Sequence, residues 1–183
     1  ITDEMLQLWK RLLDRLPGAR LLLKNVQNNR RQERLLGQRA RRLGFSADDL
    51  EIRTASRDYL REYMDMDVAL DTYPYPGGGT TCEALYMGVP VISLYSQRHG
   101  SRFGYSLLQN LGLEELAAGS PEDYLDRAAA IAADPELLRG IHGMLRSRMQ
   151  QSPLMDGASY TREAEAAYEK IWQLWRRRCM PGT

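Results

Sequence analysis

At 183 residues, 43% hydrophobic and 27% charged, the chain can build one sizeable core, or a core plus a small appendage. Its formal net charge of +1 gives no support for a nucleic-acid partner despite abundant arginine. No apolar run approaches the ~20 residues a membrane span requires. With two histidines a histidine-rich metal site is excluded, and two distant cysteines, Cys82 and Cys179, do not suggest a disulfide framework. The composition is that of a cytoplasmic protein, which is the expected location.

The chain opens on Ile1 with neither methionine nor signal peptide, so we expect a piece of a longer protein. Thr2-Asp3-Glu4 supplies an N-cap and an acidic first turn, and Met5, Leu8, Trp9, Leu12, Leu13 and Leu16 follow at helical spacing until Pro17-Gly18. "ARLLLKN" (Ala19 to Asn25) is a short apolar run of the kind a buried parallel strand needs. Asn28 to Phe45 returns to a helical period, with Leu35, Leu36 and Leu43 apolar, arginines on the solvated face and Gly44 as C-cap.

"LEIR" (Leu50 to Arg53) predicts a second strand, Ser56 to Met66 a helix, and "DVALDT" (Asp67 to Thr72) a third strand. After a glycine loop, "TTCEALYMG" predicts a helix closed by Gly88-Val89-Pro90, and "VPVISLY" a fourth strand. Beyond Ser101 only helices are expected, at about 101–111, 121–133, 135–150 and 158–178. Alternating strands and helices imply βαβ crossovers. The expected fold class is α/β, a Rossmann-like doubly wound parallel sheet in one domain over residues 1–183, with a helical C-terminal section at about 121–178.

The loop "YPYPGGGTTCE" leaves the third strand at its carboxyl end, where open parallel sheets bind their ligands. The N-terminus of a helix offers free N–H groups and a positive dipole end, glycines let the backbone approach an anion, and threonine hydroxyls add donors. Glu83, one turn in, is placed to accept from a ribose hydroxyl. A flexible turn with a threonine cap fits the same letters about as well. The loop is neither a Walker A motif nor a G-x-G-x-x-G fingerprint, and the missing fingerprint counts against an NAD-type oxidoreductase.

Three long stretches carry a resemblance: "DVALDTYPYPGGGTTCEALYMGVPVISL", "RHGSRFGYSLLQNLGLEEL" and "SPLMDGASYTREAEAAYEKIW". In order and content they resemble the C-terminal half of the catalytic region of the O-linked N-acetylglucosamine transferases and SPINDLY-like proteins, glycosyltransferase family 41. The resemblance runs from "ITDEMLQLW" to the last tryptophan. It implies a GT-B enzyme whose C-terminal half binds a nucleotide sugar, usually UDP-linked, and passes the sugar to Ser/Thr of an acceptor protein without a metal or other cofactor. It also implies an N-terminal half and tetratricopeptide (TPR) repeats in the parent chain. A diphosphate-contacting lysine would lie just before the stretch matching Ile1, and no catalytic residue is expected in this chain.

Carried over by position, the diphosphate loop falls on Gly78, Gly79, Thr80 and Thr81, and the ribose carboxylate on Glu83. Tyr59 aligns with a uracil-stacking histidine of the animal enzyme; stacking on a base and packing against Tyr63 and Met66 remain equal readings for it. The sequence departs from that enzyme where Gly78 replaces a loop histidine and where Ser56 or Arg57 replaces a lysine near the base. These departures leave the nucleotide open and keep an alternative in view, a non-catalytic nucleotide-binding or protein-interaction module. Arg102 matches a family Ser-Arg pair, although a local ion pair is the expected structural role. His99 is expected to be solvated and Cys82 to be a small hydrophobe on the inner helix face. Trp172 or Trp175, if exposed, would mark an interface with the N-terminal half; completing this domain's own core is the equal alternative.

Overall fold

The computed structural model describes residues 1–24 and 29–179. Asn25 and Asn28, the outer ends of two expected elements, lie outside the described residues. Helix α1 spans Asp3–Arg15, with the Thr2 hydroxyl accepting from the Met5 N–H, and it buries Met5, Leu6, Leu8, Trp9 and Leu12. This is the apolar stripe of the sequence turned onto the core. Strand β1 (Leu21–Lys24) pairs in parallel with β2 (Leu50–Arg53), and α2 (Arg30–Arg42) forms their crossover. The Asn29 side chain caps α2, and Gly44 takes the left-handed conformation just past its end, φ +93°.

A second parallel sheet runs β3 (Ala69–Leu70), β4 (Val91–Leu94) and β5 (Ala117–Ala118), with β4 in the middle. All four residues of β4 are buried, as a strand covered on both faces must be. Around it pack α3 (Gly79–Tyr86), α4 (Phe103–Asn110) and α5 (Pro121–Ala132); α5 also meets α1 and α6 (Pro135–Gln150). Leu85, Ile92, Leu108, Leu125 and Leu145 have almost no exposed surface and form the centre of the core.

The α/β class and parallel strands are as expected, with four differences. The strands form two hydrogen-bonded sheets rather than one. The expected helix at 56–66 is a turn followed by a short 3₁₀ segment, Arg61–Asp65. Few apolar residues there face the core, so little burial is available to nucleate α-helix against its entropy cost. The pair Ala117-Ala118 is a fifth strand, too short to leave a period in the sequence. Finally, Leu35 is half exposed and α2 buries only Ala40. The arginines of α2 are mostly solvated, as expected.

The final helix, α7 (Gly157–Cys179), buries none of its residues. Trp172 and Trp175 are 56% and 45% exposed, and their rings stack at 5.0 Å. None of the described helices is long and apolar enough to cross a membrane.

Candidate functional site

Residues at the carboxyl ends of β1, β2 and β3, among them Lys24, Arg53 and Leu70, line one cavity. From β3 the chain runs through Tyr73-Pro74-Tyr75-Pro76 into Gly77-Gly78-Gly79 and then into α3. The first-turn N–H groups of Gly79, Thr80 and Thr81 have no acceptor within the helix. Gly78, Gly79 and Thr80 are exposed, whereas Thr81 is buried. Three of the four expected loop residues are therefore exposed, and Thr81 is not.

The segment after β2 brings Tyr59 to the same place. Its phenol donates to Glu83 Oε1 at 2.9 Å, and the Tyr63 phenol lies 3.4 Å from Glu83 Oε2 and from the Thr80 carbonyl. Two residues 24 apart in sequence, both expected in the site, thus touch. Hydrogen bonding to Glu83 raises the Tyr59 pKa. Burial, reinforced by the Glu83 charge, pushes Tyr63 up to about 12. Both phenols remain protonated donors at neutral pH, which orients the half-buried carboxylate.

Next to this trio, Lys24 at the end of β1 pairs with Glu62 at 2.6 Å, and Arg53 at the end of β2 pairs with Asp65 at 2.6 Å. The Lys24 contact, with Ser56 also donating to Glu62, holds that carboxyl below its usual range. A cavity of about 850 Å³ opens between the two sheets, and Tyr59, Tyr63, Thr80, Glu83, Lys24 and Ser56 contribute to its lining. Its volume lies in the range of small-molecule sites.

Several residues here carry no signal in the sequence, Lys24, Arg53 and above all Asp71. Asp71, 7% exposed, accepts from the Gly77 N–H at 2.6 Å, the Thr72 N–H at 2.9 Å and the Ser93 hydroxyl at 2.7 Å. A lone aspartate at the end of an apolar run looks like ordinary strand termination, so no local signal marked it. The other weighed residues fall outside the cluster or take structural roles. Arg102 makes no ion pair among the described residues; its guanidinium lies 5.6 Å from the Tyr105 ring centroid, a cation–π contact in place of the expected pair. His99 is exposed and edge-on to Phe103. Cys82 is half-buried, and burial raises its thiol pKa, away from reactivity.

Residues 1–164 match the family model Glycosyl transferase family 41. The chain belongs to this family. Among curated proteins it is 37% identical over 181 residues to a protein of Solanum lycopersicum named "Probable UDP-N-acetylglucosamine-peptide N-acetylglucosaminyltransferase SPINDLY", covering 94% of this chain and 19% of that one. The Arabidopsis thaliana protein of the same type named SEC is 30% identical over 118 residues. Among solved structures, a mutant of the O-GlcNAc transferase of Thermobaculum terrenum matches with a TM-score of 0.87 and 36% identity, over 94% of this chain and 34% of that one. The α/β architecture with parallel sheets is therefore that of a GT-B family member. This family 41 chain spans about a fifth of the length of the curated relatives it matches.

Proposed function

We propose that this chain is the nucleotide-sugar-binding half of a protein O-glycosyltransferase, with a UDP-linked N-acetylglucosamine as donor. The observation that carries the reading is the meeting of Tyr59 with Glu83 beside the free N-terminus of α3. In it, the diphosphate sits on the N–H groups of Gly79, Thr80 and Thr81 with the Thr80 hydroxyl, and Gly78 lets it approach closely. Glu83 accepts from the ribose hydroxyls. Tyr59, its ring partly exposed, lies against the base.

In the reaction, an acceptor Ser/Thr oxygen attacks the anomeric carbon as the bond to the diphosphate breaks. The electron pair and its charge move onto the diphosphate, where the dipole and donors of α3 stabilise them without a metal. The base that takes the hydroxyl proton belongs to the rest of the parent chain. That N-terminal half, with its repeats, would also cover the exposed tryptophan face of α7. The setting is cytoplasmic, with neither nucleic acid nor membrane as partner.

Calorimetric titration with UDP, GDP and NAD tests the reading. Preferential UDP binding, weakened by Thr80→Ala, is the expected result. NAD preference, or UDP binding indifferent to Thr80→Ala and Glu83→Ala alike, would remove the assignment.

A further inference from the structure

Asp71 is buried, and no cation is paired with its carboxyl among the described residues. Burying an uncompensated carboxylate is costly, so its retention calls for a structural or functional reason. Both ends of its backbone are fixed: its N–H donates to the Ile92 carbonyl at 2.9 Å, and its carbonyl accepts from the Tyr124 hydroxyl at 3.1 Å. That phenol oxygen accepts in turn from the Trp9 indole N–H at 3.1 Å. Asp71 therefore stands on β4, α5 and α1 at once, and its carboxylate is aimed by a rigid frame.

The carboxylate points along the glycine loop. Oδ1 takes the N–H of Gly77, the residue before the exposed glycines, while Oδ2 is held by Ser93. The space beside Gly77 is full: a Cβ there would lie 2.5 Å from the Thr81 hydroxyl, 2.7 Å from that of Thr80 and 3.4 Å from Asp71 Oδ1. Carboxylate, loop peptide and both threonines pack as one stack. The α4 residue Gly104 closes it, for a Cβ there would be 2.6 Å from Asp71 Oδ2 and nearer still to Ser93.

We propose that Asp71 is the positioning residue of the phosphate loop. Its hydrogen bond to Gly77 fixes the peptide from which α3 starts, and so aims the N–H groups of Gly79, Thr80 and Thr81 at a diphosphate. The assignment rests on the diphosphate reading above. The Asp71 carboxyl is taken up by Gly77, Thr72 and Ser93, and an anion at the helix start gains from the donors it orients, so its value there lies in geometry.

Two variants separate these effects. Asp71→Asn keeps an oxygen for the Gly77 and Thr72 N–H groups, whereas Asp71→Ser is too short to reach Gly77 yet keeps a polar group in the pocket. UDP and uridine are titrated against each folded variant, and amide exchange is followed at Gly77 and the first turn of α3. Asp71→Ser should weaken UDP about tenfold or more but uridine less than about twofold, and should speed exchange at Gly77; Asp71→Asn should stay within about threefold for UDP. Equal losses for UDP and uridine, or Asn behaving like Ser, would overturn the proposal. So would unchanged exchange at Gly77 in Asp71→Ser. If the unsubstituted chain ignores UDP while Asp71→Ser still loosens Gly77, the diphosphate reading fails and the anchoring of the loop by Asp71 stands.

Discussion

The Tyr59 phenol donates to Glu83 Oε1 at 2.9 Å, joining the segment after β2 to the first turns of α3. One carboxylate thereby ties two segments together, with the Tyr63 phenol 3.4 Å from its other oxygen. Glu83→Ala should weaken UDP binding by roughly 1–3 kcal/mol, the usual cost of losing hydrogen bonds to a charged acceptor. Tyr59→Phe, which keeps the ring, should stay within about threefold, while Tyr59→Ala should lose about 1–3 kcal/mol of base stacking. Calorimetry on the three variants checks this. If Phe and Ala at position 59 are equally harmful, the hydroxyl rather than the ring matters.

Gly77 is the loop glycine whose missing side chain is most tightly required. In Gly77→Ala the new methyl group strikes the Thr80 and Thr81 hydroxyls, and buried Thr81 has little room to turn away. UDP affinity should drop about tenfold with a stability loss of about 1–3 kcal/mol from overpacking alone, because Gly77 has no unusual φ to strain. Gly79→Ala provides the contrast: no protein atom lies within 4 Å of its Cβ, so its stability should barely move. A Gly79→Ala variant as impaired as Gly77→Ala would show that backbone freedom, not space, is what the loop uses.

Gly104 makes a prediction about folding. Its Cα packs on Ser93 and Asp71 inside the core, where a methyl group overlaps atoms that cannot withdraw. Gly104→Ala should destabilise by about 1–3 kcal/mol, read from denaturant midpoints at constant slope. Gly140→Ala, an open helix position, should be neutral or slightly stabilising.

Acid should weaken the fold. The carboxyls of Asp49, Glu62, Glu122, Asp123 and Asp156 are all held below their usual range, by the Ser46 N–H, Lys24, Arg11, Arg127 and Ser159 respectively as the leading partners. A depressed folded-state pKa gives stability that is present above the unfolded value of about 4 and is lost as pH falls through the folded value. Asp71 works in the opposite sense: burial raises its pKa, so its protonation favours the folded state and offsets part of the loss. Thermal midpoints should decline steadily from about pH 5 to pH 3. A midpoint that rises over that range would mean Asp71 outweighs the surface carboxyls.

Much of this was written in the local sequence, and the rest could not be. Helix α1 was legible because its apolar residues recur at helical spacing behind a Thr2 cap, and β4 because a fully covered strand must be continuously apolar. The glycine loop and Glu83 could be named because their letters carry a resemblance over nearly the whole chain. The segment at 56–66 misled because it has helical spacing without enough core to bury. The two-residue strand β5 left no trace, since it exists only through pairing with β4. Asp71 was invisible for a related reason: its partners Gly77, Ser93 and Tyr124 come from three separate places. Periodicity and loop chemistry are properties of neighbours along the chain, so sequence specifies the long, strongly patterned elements and the presence of a loop. Which carboxylate anchors that loop, and that Tyr59 meets Glu83 across 24 residues, depends on packing between elements, and only the tertiary structure decides it.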